Sequence, residues 1–83
     1  MQLSAEQIRA ARALLDWSQT DLADHTLLGM RTVKRAEAGE RLTAAAVLSI
    51  RRCFEDAGVA FLAPDDVPGI EVIAGVALVA PKR

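Results

Sequence analysis

The sequence has little of what a disulfide or a zinc site requires. Its 83 residues include a single cysteine, Cys53, and a single histidine, His25. One cysteine excludes a disulfide within the chain and is typical of a protein kept in a reducing cytoplasm. One Cys and one His cannot supply the ligand set of a zinc ion. We therefore expect neither a metal site nor a cofactor.

Long apolar runs are also missing. A membrane-spanning helix needs roughly 18 consecutive apolar residues, and no run in the sequence approaches that length. The first residues do not combine a charged segment with a following apolar segment, which is the pattern of a signal peptide. We therefore expect a cytoplasmic protein that has no membrane partner.

The usual motifs of catalysis are missing too. The sequence contains no glycine-rich phosphate loop and no spacing of metal ligands. Ser18, His25 and Asp16 could be combined into a catalytic triad on residue type alone, but such combinations arise easily by chance. We therefore expect that the protein is not an enzyme.

The charges that are present are unevenly distributed, although their sum is only −1. Residues 31–41 include four basic residues against Glu37 and Glu40, whereas residues 55–71 include five acidic residues and no basic one. DNA-binding domains are often basic overall. A short basic patch can nevertheless contact phosphates while the rest of the chain repels them.

Four helix starts share one pattern, in which a capping residue stands between two apolar residues that can pack together. The capping residues are Ser4, Ser18, Gly29 and Thr43. Glycine is a weaker cap than serine, because it has no side-chain oxygen. The pattern predicts helices that end near residue 15, residue 26, Gly39 and Gly58. On the fourth helix either Cys53 or Phe54 can follow Ile50 on the inner face.

The composition changes after Gly58. Residues 59–62 form a short apolar run, residues 64–69 are rich in turn formers, and residues 70–79 are rich in β-branched side chains. This order predicts a small hairpin or meander. An isolated hairpin is marginally stable in water, so it must pack on the helices or pair with a second copy.

Residues 17–39 have the outline of a helix-turn-helix, in which the second helix enters the DNA major groove. Met30, Arg31, Lys34 and Arg35 lie on the outward face of that second helix, where side chains can reach base edges. Arg31 and Arg35 are the best candidates for reading sequence, because an arginine can donate two hydrogen bonds to guanine. Lys34 can equally contact a phosphate. The alternative is that this face is only a solvated basic surface.

Phosphate contacts are expected from residues near these two helices. Ser18 and Gln19 stand where the first of them begins, and the free N–H groups of a helix N-terminus favour an anion. Arg41 follows the second helix in a loop and can also contact a phosphate. The alternatives are ordinary capping for Ser18 and a solvated side chain for Arg41.

Several stretches in this order resemble the Cro/C1-type helix-turn-helix family, also called the XRE family. They are IRAAR (8–12), WSQTDLA (17–23), RTVKRAEAG (31–39), and the later segment from IRR (50–52) to AGVAFL (57–62). The resemblance implies a mainly α, lambda-repressor-like four-helix domain with a short C-terminal β hairpin.

The resemblance also implies roles for individual residues. It places Gln19 against the DNA backbone, places Met30 and the two arginines named above against base edges, and joins Arg12 to Glu37 in a partly buried ion pair. Leu27 stands where the family usually has a small residue, so a positive φ at this position would be strained.

The sequence therefore predicts a sequence-specific DNA-binding regulator of transcription, a repressor of bacterial or phage type. One such domain makes few contacts, so a homodimer on two half-sites of a double-stranded operator is expected. Residues 1–58 would form the helix-turn-helix domain, and residues 59–83 would form a β-rich tail that is the candidate dimerisation element. The alternative is a protein-binding module, for example an antiactivator or an antitoxin, which the near-neutral charge favours.

Overall fold

Capped helices dominate the part of the chain that the computed structural model describes, residues 3–61 and 76–78. The helices are α1 (Ala5–Leu15), α2 (Gln19–Thr26), α3 (Met30–Glu37) and α4 (Ala44–Asp56). Ser4, Ser18 and Thr43 each accept the backbone N–H of the third helical residue, whereas Gly29 caps α3 without a side-chain hydrogen bond. The four predicted helix starts are confirmed.

One apolar core lies between these helices. Its members are all buried: Ile8, Ala11, Leu22, Ala23, Val33, Ala36, Ile50, Phe54 and Val59. The sequence allowed either Cys53 or Phe54 on the inner face of α4. Phe54 is the residue that is buried there, and Cys53 is only partly buried. Burial, together with the nearby charge of Asp56, raises the pKa of the Cys53 thiol. The described part of the chain is thus a compact, mainly helical unit.

Two short strands pair on the surface of the helices. β1 (Val59–Phe61) and β2 (Val76–Leu78) are antiparallel, with Val59 opposite Leu78. β1 lies against α4 and β2 lies against α1, so the strand pair packs on the helices of its own chain. The predicted turn at 64–69 and most of the β-branched segment lie outside the described residues.

Two residues other than glycine adopt a positive φ where α1 and α2 end. They are Asp16, with φ 57°, and Leu27, with φ 60°. In this region the Cβ of any L-residue approaches the following carbonyl oxygen, and aspartate tolerates it better than leucine because a short polar side chain can hydrogen-bond locally. The side chain of Leu27 is 92% exposed, so packing does not compensate for this backbone strain.

Replacing Leu27 by glycine is expected to raise the free energy of unfolding by about 0.5–1 kcal/mol, because glycine adopts a positive φ without steric cost. Urea denaturation followed by circular dichroism measures the change. Leu48→Gly is the matched control, since Leu48 is also exposed, at 47%, but lies within α4. There the same substitution should lower the free energy of unfolding by about 1 kcal/mol. A lower free energy of unfolding for both variants would contradict the strain assigned to Leu27.

Candidate functional site

α3 has a basic side that faces solvent and an opposite side that is buried. Arg31, Lys34 and Arg35 are exposed, whereas Val33 and Ala36 belong to the core. Residues three or four positions apart share one side of a helix, so the three exposed residues form a continuous surface. We call Arg31, Lys34 and Arg35 the basic strip.

Met30 lies at the edge of the basic strip. It is half-buried and packs against the core. Together with the basic strip, Ala38 and Glu40, it lines a shallow depression on the outer side of α3. The four residues that the sequence suggests for base contacts are therefore brought together on one surface.

Glu37 anchors the buried side of α3. Its carboxylate oxygens accept hydrogen bonds from Arg12 Nε at 2.6 Å and from Arg12 Nη2 at 2.8 Å. The Glu37 side chain is 6% exposed and the Arg12 side chain is 20% exposed. The hydrogen bond to Glu37 raises the pKa of the Arg12 guanidinium further above its ordinary value. The two residues that the family resemblance places together thus form a bidentate ion pair between α1 and α3.

The same ion pair connects to the segment before α2. Arg12 Nη1 donates to the carbonyl oxygen of Trp17 at 2.9 Å, and Arg9 Nη1 donates to the carbonyl oxygen of Glu37 at 2.6 Å. Gln19 Nε2 lies 3.4 Å from Glu37 Oε1. These contacts fix α1, the start of α2 and the last turn of α3 relative to one another.

The three candidates for phosphate contact, Ser18, Gln19 and Arg41, differ in the contacts that their side chains make. The Ser18 hydroxyl accepts the Asp21 N–H at 3.0 Å, and the Asp21 carboxylate accepts the Ser18 N–H at 2.8 Å. The backbone N–H of Ser18, and after it the Ser18 side chain, lower the pKa of the Asp21 carboxyl group. The amide of Gln19 is turned towards Glu37, as described above, and Arg41 is exposed. Ser18 is therefore an exposed helix cap, Gln19 is partly buried, and Arg41 is exposed with no hydrogen bond or ion pair within residues 3–61.

Besides the Gln19–Glu37 contact, two polar contacts near α3 differ from what the sequence predicts. One is the hydrogen bond of Arg9 to the Glu37 carbonyl, and the other is an ion pair between Arg35 Nε and Glu40 Oε1 at 3.1 Å. A signal for the second exists, because Gly39 predicts a left-handed helix end, which brings the next residue close to the last turn. No comparable local signal exists for Arg9, whose acceptor is 28 residues away.

Residues that could suggest catalysis are engaged in other contacts. The rings of Trp17 and His25 stack with their centroids 4.1 Å apart, and Ser18 caps α2. Within residues 3–61, no hydrogen bond joins the side chains of Ser18, His25 and Asp16. In the described ranges, no cluster of His, Cys, Asp and Glu is able to bind a metal ion. No helix in those ranges combines the length and apolarity of a membrane span.

No protein-family model, curated protein or solved structure matches the chain. The geometry of α3 and the contacts that support it are therefore the basis for assigning a function.

Arg12→Met is expected to lower the free energy of unfolding by about 3 kcal/mol, because the Glu37 carboxylate would remain buried without its charged partner. Glu37→Leu should cost less, since Arg12 is partly exposed and keeps its hydrogen bond to the Trp17 carbonyl. Combining Arg12→Met with Glu37→Leu should cost clearly less than the sum of the two single changes. Urea denaturation of the wild type, both single variants and the double variant measures this coupling energy.

The matched control is the same cycle on Arg35 and Glu40, whose side chains are 52% and 53% exposed. An exposed pair should couple by less than about 1 kcal/mol. Equal coupling energies in the two cycles would contradict the anchoring role of the Arg12–Glu37 pair.

Proposed function

We propose that the protein is a DNA-binding regulator of transcription that uses α3 as its recognition helix and represses by occupying a promoter operator. The main support is the basic strip, Arg31, Lys34 and Arg35, exposed on a helix whose opposite side is anchored by the buried Glu37. A helix of this kind can lie in the major groove and present its outer side chains to base edges.

The relation between α2 and α3 supports this use of α3. The two helices pack against each other, and residues 27–29 connect them. In a helix-turn-helix the first helix crosses the DNA backbone while the second lies in the groove. The resemblance of the sequence to the Cro/C1 type adds support, and we extend the proposal to a lambda-repressor-like fold for the four helices.

Each residue of the site has a proposed role. Arg31 and Arg35 read guanines, and Lys34 contacts either a base or a phosphate. Met30 can contact a thymine methyl group but cannot read a base by hydrogen bonding. Ser18, Gln19 and Arg41 contact phosphates. For Gln19 this requires its amide to leave Glu37, a contact that is weak at 3.4 Å.

Specific binding in this proposal requires a homodimer. Two copies would read half-sites about 34–36 Å apart, which is one turn of the DNA helix. We assign dimerisation to residues 59–83, the segment that contains β1 and β2. Loss of the dimer on truncation after Leu62, measured by light scattering, is the expected result, and an unchanged dimer would overturn this part of the proposal.

Titration of double-stranded DNA from the region upstream of the gene tests the proposal. A gel shift at low salt, where phosphate contacts are strongest, should show saturable binding. Arg31→Ala and Arg35→Ala should each weaken binding to the operator by about 1–3 kcal/mol. Arg52→Ala removes an exposed arginine from α4 and serves as the control, with little change expected. Absence of any shift for the wild type at low salt would contradict the proposal.

A protein-binding module, such as an antiactivator or an antitoxin, is the second candidate, and the exposure of Leu27 favours it. A large apolar side chain that is 92% exposed on a strained backbone is unusual unless it contacts a partner. Under this alternative, Leu27→Ser would abolish binding to the partner, whereas Arg31→Ala and Arg35→Ala would leave it intact. Separate titrations against DNA and against a candidate partner distinguish the two functions.

A further inference from the structure

A carboxylate lies beside the basic strip where α3 ends. Glu40 Oε1 accepts a hydrogen bond from Arg35 Nε at 3.1 Å, and both side chains are about half exposed. An exposed ion pair of this kind contributes little to stability. Its effect on the orientation of Arg35 is more important, because Arg35 is one of the two arginines assigned to base reading.

The backbone brings Glu40 next to Arg35. Gly39 has a φ of 81° and follows the C-cap residue Ala38. Its N–H donates to the carbonyl oxygen of Ala36 at 3.2 Å, and the Glu40 N–H donates to the carbonyl oxygen of Arg35 at 3.0 Å. This is the Schellman arrangement, in which the second residue after the cap lies beside the third residue before it. The backbone hydrogen bonds at the end of α3 therefore hold Glu40 next to Arg35, which favours the pairing of their side chains.

The contact with Glu40 uses one edge of the Arg35 guanidinium. It engages Nε, and within residues 3–61 neither Nη1 nor Nη2 has a hydrogen-bond partner. The guanidinium is a rigid plane, so a carboxylate fixed at Nε also fixes the direction of both Nη groups. Two parallel N–H groups match the O6 and N7 acceptors of guanine in the major groove.

We propose that Glu40 is a positioning residue that sets the base specificity of Arg35. By accepting from Nε, Glu40 presents Nη1 and Nη2 together towards a guanine and limits the side-chain freedom that Arg35 loses on binding. The inference rests on the proposed function and adds that Glu40 determines how Arg35 reads its guanine. The charge of Glu40 also repels phosphates, so Glu40 lowers affinity for DNA of any sequence while it raises discrimination.

The pairing itself is tested on the free protein by NMR of the arginine Nε–H groups. The Arg35 Nε–H should exchange with solvent more slowly than that of Arg31, which is also exposed on α3. Glu40→Ala should remove the difference between the two arginines. Equal exchange in the wild type would overturn the inference whether or not the protein binds DNA.

The effect on specificity is tested with the operator and with variants of it in which each guanine is replaced in turn. In the wild type, replacing the guanine that Arg35 reads should weaken binding by about tenfold or more. That guanine is the one whose replacement has no further effect in the Arg35→Ala variant. Glu40→Ala should reduce this discrimination against the replaced guanine and should tighten binding to an unrelated duplex. Glu40→Gln keeps an acceptor oxygen and should preserve more of the discrimination than Glu40→Ala does. Asp56→Ala removes the same charge from an exposed position on α4, and it should leave the discrimination unchanged.

Two results of the DNA titrations would overturn the inference. Equal tightening of all sequences by Glu40→Ala would show that the carboxylate acts only by repelling phosphates. Unchanged binding to every duplex would show that Glu40 does not affect Arg35. Absence of DNA binding by the wild type would instead refute the proposed function, and the exchange measurement would still decide whether the pair forms.

Discussion

The position of α3 depends on the partly buried ion pair between Glu37 and Arg12. A helix of eight residues is too short to be stable alone, so tertiary contacts must set its orientation. Val33 and Ala36 supply apolar packing, but small side chains tolerate some rotation about the helix axis. A buried carboxylate is less tolerant, because it is costly without a paired partner. Since Glu37 must reach Arg12, the residues on the opposite side of α3 must face solvent.

The basic strip is consequently a result of how the other side of α3 is held. Its three positive charges stand out against a chain whose net charge is −1. A weakly charged protein gains less from non-specific phosphate attraction, so selective binding would depend more on well-oriented side chains. The Schellman end of α3 matters here, because it places the Glu40 carboxylate beside Arg35. Under the proposed function, one helix end thus determines both the length of α3 and the direction of one of its arginines.

The connection between α2 and α3 combines strain with exposure. Leu27 has a positive φ and its side chain does not pack on the core, so the surrounding helices must impose this conformation. Strain of this kind is found at functional positions more often than elsewhere. Leu27 lies directly before the segment that leads into α3, and this location is compatible with either a DNA contact or a protein contact.

The sequence by itself determined the helix starts and most helix ends, because caps and glycine terminators act between residues three or four positions apart. The choice of Phe54 over Cys53 required the structure, since both positions satisfy the same helical periodicity. The bond from Arg9 to Glu37 and the inward turn of the Gln19 amide were likewise decided only by tertiary packing. They join residues 28 and 18 positions apart, and no local pattern specifies how separate helices are placed. The tertiary structure therefore decided which charges are buried and paired and which remain on the surface.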